Sequence, residues 1–424
     1  MEAIERDPDG DHRHLGQVMD LYHIEEHSPG MVFWHPDGWK LFRVVETYMR
    51  RVHEAHGYRE VRTPQILNRS LWEKSGHWDK FRSSMFTTGA ADPVGGIADF
   101  FDSEPDYAIK PMSCPGHIAV FQHRRRSYRE LPYRLLEMGV VHRNESSGSL
   151  SGIMRLRQFT QDDAHILCTE DQIVSETANY IEMLGEVYRR FGFDAWTVKL
   201  STRPAVRAGD DALWDKAEHA LMNACLQLGV AYEIQPGEGA FYGPKLEFTL
   251  HDALGRPWQC GTIQVDFVLP GRFDLGYVGD NGGTTAEDGT PHRPVLLHHA
   301  VLGSLERFIG ILLEHHRGVL PLDLAPVQTV VASISEKSAD YAVKVAEVLT
   351  RYGVRAEVDV GADKIGAKIR HHFNRKVATV AVVGEREAEA DEVNVRRLGR
   401  KTAEQMSRND LYNLIRNAVE FTDG

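Results

Sequence analysis

Apolar and polar residues repeat with two different periods in the first three quarters of this 424-residue chain. Apolar side chains recur at helical spacing, which predicts helices over residues 37–54, 173–191 and 210–228. Alternation of apolar and polar residues predicts strands over residues 195–201, 245–250 and 258–268. Strands of this kind suit an antiparallel sheet with one face lining a site. The pattern therefore predicts an α+β domain built on an antiparallel sheet.

The pattern changes after a short turn between Pro321 and Pro326, which predicts an interdomain linker. Beyond it, strands are predicted over residues 328–334, 355–360, 378–383 and 393–396, and helices over residues 338–352, 364–376 and 409–421. This alternation predicts a small α/β domain. We expect a helical lead-in over residues 1–30, a first domain over 31–322 and a second domain over 323–424.

Charge and composition narrow the classes of function. The formal net charge of −12 argues against a general nucleic-acid binder, although basic strips at residues 123–126 and 396–401 could meet RNA locally. Either strip alone is equally typical of a solvated surface. No apolar run approaches the roughly 18 residues of a membrane span, and we expect no signal peptide. The four cysteines form no disulfide framework, which suits a reducing compartment, so we expect a cytoplasmic protein with no membrane partner.

Two segments carry groups suited to a phosphorylated ligand. Residues 141–165 form a predicted strand, loop and returning strand with Arg143, Glu145, Arg155 and Phe159. An arginine fork suits a phosphate and an aromatic ring suits adenine, but a salt-bridged surface hairpin explains the charges equally well. The second segment spans residues 297–313, where a predicted helix places Arg307 near its positive end. One arginine on a helix does not establish a site.

Together these segments resemble motifs 2 and 3 of class II aminoacyl-tRNA synthetases. Residues 62–64 (Arg-Thr-Pro) resemble motif 1, whose proline lies at the dimer interface in that family, so a homodimer is implied. Five further stretches resemble threonyl-tRNA synthetases: KPMSCPGH at 110–117, HRNE at 142–145, FTQDDAH at 159–165, GAFYGPK at 239–245 and WQCGT at 258–262. The chain is identified as a member of that family from about residue 12 to its end.

The resemblance implies one zinc ion per subunit, held by Cys114, His165 and His298. One thiolate and two imidazoles are suitable zinc donors, and three protein ligands leave coordination positions open. The amino and hydroxyl groups of threonine fill these positions in the family, which rejects valine because valine has no hydroxyl. Cys114 taken alone is more typical of a small buried apolar residue. Either His298 or His299 could be the second histidine ligand. We prefer His298, from the alignment to the following Gly-Ser-x-Glu-Arg stretch.

The resemblance also implies the substrates, ATP, L-threonine and tRNA(Thr), and a role for each site residue. Asp163 receives the threonine ammonium, with Met112, Gln161 and Tyr242 beside it. The remaining residues bind ATP: Arg143 at the α-phosphate, Glu145 at the adenine amino group, Phe159 at the adenine face, Arg155 and Arg307 at the β- and γ-phosphates, and Gln259 at the ribose. Mg²⁺ is expected to bind mainly through the ATP phosphates. The second domain would read the anticodon, although Leu398 stands where an arginine is usual.

The match begins close to residue 1, so we expect a form that lacks the N-terminal editing region of the family. Serine differs from threonine by one methyl group, which a pocket discriminates by only about 1–3 kcal/mol. We therefore expect mischarging with serine and reliance on a separate editing protein. The sequence leaves two alternatives open. One is a threonine-activating paralog that serves biosynthesis or antibiotic resistance; the other is a non-catalytic RNA-binding regulator, which would be expected to have lost the metal ligands or phosphate-binding arginines.

Overall fold

The computed structural model describes residues 10–88, 107–252, 255–286 and 289–420. These residues form two compact units. The larger unit comprises His27–Met31 and Glu46–Phe308, and the smaller unit comprises the described parts of Met1–Glu26, Val32–Val45 and Ile309–Gly424. The predicted domain boundaries near residues 30 and 322 stay predictions.

The described helices are α1 His12–Val18, α2 Pro36–Ala55, α3 Arg69–Ser75, α4 His77–Phe81, α5 Cys114–Gln122, α6 Ile173–Arg190, α7 Asp211–Leu228, α8 Val268–Arg272, α9 Leu305–His315, α10 Ala339–Arg351, α11 Ile365–Asn374, α12 Glu385–Ala390 and α13 Arg408–Glu420. None of them combines the length and the apolar character that crossing a membrane requires.

The described strands are β1 Tyr22–His23, β2 Phe33–Trp34, β3 Arg59–Glu60, β4 Ile66–Asn68, β5 Thr87–Thr88, β6 Tyr107–Ile109, β7 Arg126–Ser127, β8 Tyr133–His142, β9 Gln158–Cys168, β10 Thr197–Ser201, β11 Glu233–Gln235, β12 Lys245–His251, β13 Pro257–Asp266, β14 Tyr277–Val278, β15 Val295–Ala300, β16 Thr329–Ser333, β17 Ala356–Asp359, β18 Thr379–Val383, β19 Glu392–Arg397 and β20 Ala403–Ser407.

An eight-stranded sheet organises the larger unit, in the order β11-β10-β12-β13-β15-β9-β8-β3. Its central pairs are antiparallel, and the outer pairs β10–β11 and β8–β3 are parallel. Helix α6 packs against this sheet, where the Tyr180 and Tyr188 hydroxyls donate to Ala300 O (2.8 Å) and Val301 O (3.0 Å). Full burial of a side chain such as Leu184 stabilises this packing by about 1.5–3 kcal/mol. The predicted α+β architecture is confirmed.

A five-stranded mixed sheet organises the smaller unit, in the order β17-β16-β18-β19-β20. Strands β16, β17 and β18 are parallel, whereas β19 and β20 continue the sheet antiparallel. Helices α10 and α13 supply Val345, Leu349, Leu411 and Ile415 to its core. The predicted α/β architecture is confirmed.

The N-terminal segment, for which a helical lead-in is predicted over residues 1–30, is described from residue 10. Its described part is helical only over α1, and β1 then pairs with β2. Asp11 caps α1 by accepting from Arg13 N, and Asp20 adopts a left-handed conformation soon after the helix ends. A short helix and a two-stranded ribbon therefore make up the start of the described chain.

Candidate active site

A cavity of about 280 Å³ lies in the larger unit. Its walls come from three central strands and the segments that flank them. The lining residues are Met112, Cys114, Arg143, Phe159, Gln161, Asp163, His165, Tyr242, Gln259, Cys260, Thr262, Gln264, His298, His299, Ala300, Gly303, Ser304 and Arg307.

Strand β9 supplies one wall through alternate residues. Phe159, Gln161, Asp163 and His165 all line the cavity, because side chains two residues apart in a strand share a face. The intervening side chain of Asp162 is fully buried and accepts backbone N–H bonds from Val301, Leu302 and Gly303 instead. One strand thus presents its odd-numbered residues to a ligand and uses its even-numbered residues for structure.

The three predicted metal ligands lie together in this cavity. Their ligand atoms, Cys114 Sγ and one ring nitrogen each of His165 and His298, all lie within 4.8 Å of one another. Strands β9 and β15 pair His165 directly opposite His298, and His165 Nε2 is 3.0 Å from His298 Nδ1. Cys114 begins helix α5. Residues far apart in the sequence therefore meet through strand register.

The protonation of these groups suits a cation. Burial, and then the negative charges of Asp163 and Asp266, raise the pKa of the Cys114 thiol well above its usual range. Burial, and then the neighbouring His117 and His298, lower the pKa of His165 well below its usual range, so its imidazole is neutral. A bound metal ion reverses this situation for a thiol, which deprotonates on coordination. The donor set fits zinc, whose sites of three protein ligands keep a position open for a substrate.

His77 lies behind Cys114. Its Nε2 is 3.8 Å from Cys114 Sγ, and its Nδ1 is 2.7 Å from the hydroxyl of Ser75. Ser75 in turn donates to Trp72 O (3.0 Å). This hydroxyl is therefore free to accept from His77 Nδ1, which leaves the Nε2 lone pair directed at the thiol.

His299, the second histidine of the pair, is turned away from the three potential metal ligands. Its Nε2 is 2.7 Å from the Tyr58 hydroxyl, and its ring packs against Tyr180 and His53. The ring of His298 contacts Tyr242 at 5.5 Å, and its Nε2 lies 2.9 Å from Asp266 Oδ2. Alternation along β15 thus separates the two histidines that the sequence left as alternatives.

Asp163 provides a carboxylate beside the three potential metal ligands. Its Oδ2 accepts from Ser113 N at 2.9 Å, and its Oδ1 lies 3.6 Å from His165 Nδ1. Met112, Gln161 and Tyr242 line the cavity with it. This end of the cavity therefore combines a carboxylate with three potential metal ligands, which suits a small molecule with an ammonium group.

Two arginines provide positive charge elsewhere in the cavity. Arg143 lies with its guanidinium carbon 5.2 Å from the centre of the Phe159 ring, and its Nε donates to Pro111 O (3.1 Å). Arg307 donates through Nε to Met154 O (2.9 Å) and through Nη1 to Gln259 O (2.8 Å). Burial lowers the pKa of both side chains. Backbone carbonyls thus hold both guanidinium groups in place before a ligand binds.

A close backbone approach positions Arg307. Ser304 Oγ accepts from Arg307 N at 3.1 Å and so caps the start of α9. Gly303 precedes it with φ +77°, and a Cβ at this residue would lie 2.6 Å from Cys260 O. Only glycine allows both this conformation and this approach.

Glu145 and Arg155 do not line the cavity. They form an ion pair of 3.3 Å with each other, and the Arg155 side chain is 51% exposed. Sequence reasoning missed Thr262 and Gln264 among the lining residues. Alternation from Thr262 to Gln264 within the predicted strand 258–268 was the signal that could have found them.

Comparison with known proteins identifies the family of the chain. Residues 100–316 match the tRNA synthetase class II core domain (G, H, P, S and T), and residues 328–418 match an anticodon binding domain. The threonine–tRNA ligase of Gluconobacter oxydans is 54% identical over 413 residues, which are 97% of this chain and 61% of that protein. The chain thus spans about three fifths of the length of this curated relative.

Two solved structures are similar over nearly their whole length. The RNA binding domain of threonyl-tRNA synthetase from Cryptosporidium parvum is 39% identical with a TM-score of 0.88, and the match covers 96% of this chain and 98% of that one. A putative threonyl-tRNA synthetase from Aeropyrum pernix is 27% identical with a TM-score of 0.79, covering 97% of each chain.

Proposed function

Because this chain belongs to the threonyl-tRNA synthetases, a family of class II aminoacyl-tRNA synthetases, we propose that it activates L-threonine with ATP and transfers it to tRNA(Thr). One observation carries the proposal. A single cavity holds three potential zinc ligands, a carboxylate next to them and two arginines fixed by backbone carbonyls. These are the groups that an amino acid and a nucleotide phosphate require.

Cys114, His165 and His298 would hold zinc, which when bound supplies a Lewis acid for the amino and hydroxyl groups of threonine. Asp163 would accept a hydrogen bond from the ammonium group. Its position supports this role, because Ser113 N already fixes one carboxylate oxygen and the residue lines the cavity. Gln161, Tyr242 and Met112 would complete the pocket around the amino acid.

ATP would bind along the arginine side of the cavity. Arg143 would contact the α-phosphate, Phe159 would stack on adenine, Arg307 would contact the β- or γ-phosphate, and Gln259 would lie near the ribose. Mg²⁺ would arrive with the phosphates. Glu145 and Arg155 must separate before they can contact the adenine amino group and the phosphates, and an exposed pair of this kind costs only about 0–1 kcal/mol to open.

The reaction needs no protein nucleophile. A threonine carboxylate oxygen attacks the α-phosphorus, the bond to pyrophosphate breaks, and threonyl-adenylate forms. A hydroxyl of the terminal tRNA ribose then attacks the threonyl carbonyl and loses its proton to solvent, and AMP leaves with the bonding electron pair. The protein would act by positioning both substrates and by neutralising charge that develops on the phosphates.

We further propose that the chain works as a homodimer in the cytoplasm, with its second domain contacting the anticodon. The four buried free cysteines suit a reducing compartment. Because serine offers the same amino and hydroxyl groups as threonine, we expect its removal from tRNA to depend on a hydrolytic activity outside this cavity, such as a separate editing protein.

ATP–pyrophosphate exchange tests the proposed activity. We expect exchange with threonine, little with valine, and loss of threonine-dependent exchange after the metal is removed by a chelator and restoration when zinc is returned. Charging of tRNA(Thr) in the same preparation separates a tRNA ligase from an enzyme that only activates threonine. Threonine-dependent exchange that is indifferent to removal of the metal would contradict the mechanism.

A further inference from the structure

A chain of buried polar side chains leads away from the proposed metal ligand His165. His165 Nδ1 is 2.8 Å from His117 Nδ1, and His117 Nε2 is 3.3 Å from Glu137 Oε2. Lys110 Nζ donates to Glu137 Oε1 at 2.8 Å and to the Thr63 hydroxyl at 3.0 Å. All five side chains are at most 5% exposed. The resemblance to known synthetases assigned no role to His117, Glu137 or Lys110.

Glu137 is held as a carboxylate by this cluster. Burial alone would raise the pKa of Glu137, but hydrogen bonds from His117, Lys110 and Thr63 outweigh it and lower the pKa to about 2. Thr63 contributes twice, because its backbone N–H donates to Oε1 (3.0 Å) and its hydroxyl donates to Oε2 (2.8 Å). An ionised carboxylate only accepts hydrogen bonds.

The direction of the hydrogen bonds then follows step by step. Since Glu137 can only accept, His117 donates through Nε2, and in a neutral imidazole Nδ1 is then an acceptor. His165 must therefore donate through Nδ1 to His117. The Nε2 atom of His165 is left with a lone pair, which points towards the other two potential metal ligands.

The second imidazole ligand is arranged in the same way by a shorter route. His298 Nε2 lies 2.9 Å from Asp266 Oδ2, so it donates there and leaves Nδ1 with a lone pair. Asp266 Oδ1 is itself fixed by the backbone N–H groups of Val268 and Leu269. The two lone pairs face each other across 3.0 Å. Two acceptors at that distance repel unless a cation lies within reach of both.

We propose that His117 and Glu137 are positioning residues that hold His165 in the tautomer able to bind the metal. Metal-ligating histidines commonly donate their second N–H to a carboxylate, and the two ligands here reach their carboxylates differently. Asp266 acts on His298 directly, whereas Glu137 acts on His165 through His117. The inference rests on the proposed zinc site and adds to it the residues that orient the ligand.

Glu137→Gln is the informative variant, because it keeps the size of the side chain and reverses the hydrogen bonds. The amide oxygen can still accept from Lys110 and from the Thr63 backbone N–H, while the amide NH₂ faces His117 Nε2 and the Thr63 hydroxyl. His117 must then carry its proton on Nδ1 and His165 must carry its proton on Nε2, which blocks ligation. We expect zinc affinity to fall about 10- to 100-fold, as for other outer residues of metal sites.

Glu176→Gln is the matched control. Glu176 is as buried as Glu137 (4% and 3% exposed). Its carboxylate pairs at 2.6 Å with Arg134, which lies on the same strand, β8, as Glu137. Its substitution removes a buried ion pair without reaching a metal ligand. Zinc affinity is measured by competition with a chromophoric chelator, and the absorption spectrum of the Co²⁺-loaded protein reports the ligand geometry.

The expected result is weaker zinc binding and an altered Co²⁺ spectrum in Glu137→Gln, with both unchanged in Glu176→Gln. Wild-type affinity in Glu137→Gln, or an equal loss in both variants, would overturn the positioning role. A wild-type protein that binds no zinc would overturn the proposed function itself.

A measurement on the wild-type protein does not depend on how the variants fold. Long-range nitrogen–proton NMR correlations of ¹⁵N-histidine-labelled, zinc-loaded protein identify the protonated nitrogen of each ring. We expect protons on His117 Nε2, His165 Nδ1 and His298 Nε2. A proton on His117 Nδ1 would refute the inference, because His117 could then not accept from His165.

Discussion

The Gly303→Ala variant adds a methyl group at a point where two backbone segments approach closely. Gly303 has φ +77°, a conformation that costs an alanine about 1–2 kcal/mol. Its new Cβ would lie 2.6 Å from Cys260 O, whereas real Cβ contacts are essentially never shorter than 3.0 Å. One of the two segments must therefore move by at least about 0.4 Å.

That movement acts on two of the groups that hold Arg307. Gly303 adjoins Ser304, which caps α9, and Cys260 adjoins Gln259, whose carbonyl accepts from Arg307 Nη1. Misplacement of a binding group by 1 Å can cost about 100-fold in rate, so we expect kcat/KM for ATP to fall about 10- to 100-fold. Strain and a weakened bond from Gly303 N to Asp162 should together lower the free energy of unfolding by about 2–3 kcal/mol.

Pyrophosphate exchange at saturating threonine with varied ATP measures this effect, with urea unfolding in parallel. Gly148→Ala is the control, because a Cβ at Gly148 would meet nothing within 4 Å and its backbone needs no positive φ. We expect this variant to match the wild type in both assays. A Gly303→Ala enzyme with wild-type kcat/KM for ATP would refute the argument that this approach positions Arg307.

Three further predictions concern specificity and pH. Asp163→Asn should lower kcat/KM for threonine by about 10- to 100-fold through loss of a charge-assisted hydrogen bond to the ammonium, with KM for ATP unchanged; an equal change in both would contradict the assigned role. Serine should be activated with kcat/KM within about 200-fold of threonine, and valine should be poorer by about 10⁴-fold; the absence of detectable serine exchange would count against recognition by metal. Burial lowers the pKa of His53 to about 4, so the stability that its neutral form contributes is present above pH 6.5 and is lost as pH falls towards 4. Urea unfolding across this range should show that the free energy of unfolding falls by about 3 kcal/mol more in the wild type than in His53→Gln. Parallel plots of this free energy against pH for the two proteins would disprove the prediction.

Much of the fold was predictable because burial repeats with the period of the element. Helices α6 and α7 and strand β18 fall within about one residue of the predicted ranges, since each has a regular buried stripe or run. Helix α12 was not predicted, because its sequence EREAEA has no apolar stripe. Strand β20 was missed as well, and none of its residues is fully buried.

The candidate site was less accessible to sequence reasoning. The hydrogen bonds that join His165 to His117 and His117 to Glu137 connect residues 48 and 20 positions apart, on different elements. A repeat of apolar residues within one element cannot predict such contacts. The three potential metal ligands were themselves suggested only by resemblance. The charges of Glu145 and Arg155 were visible in the sequence, but their pairing with each other depends on the loop conformation.

The register between β9 and β15 has a consequence for folding. A slip of one residue would exchange the faces of His298 and His299, because successive side chains alternate. An imidazole would still face His165, but His299 would have lost the Tyr58 hydroxyl and His298 would have lost Asp266. A metal that binds only the native register stabilises it by about 2.7 kcal/mol at a free concentration 100 times Kd. The zinc ion proposed to select threonine would thus also favour the native pairing of β9 and β15 over the slipped one.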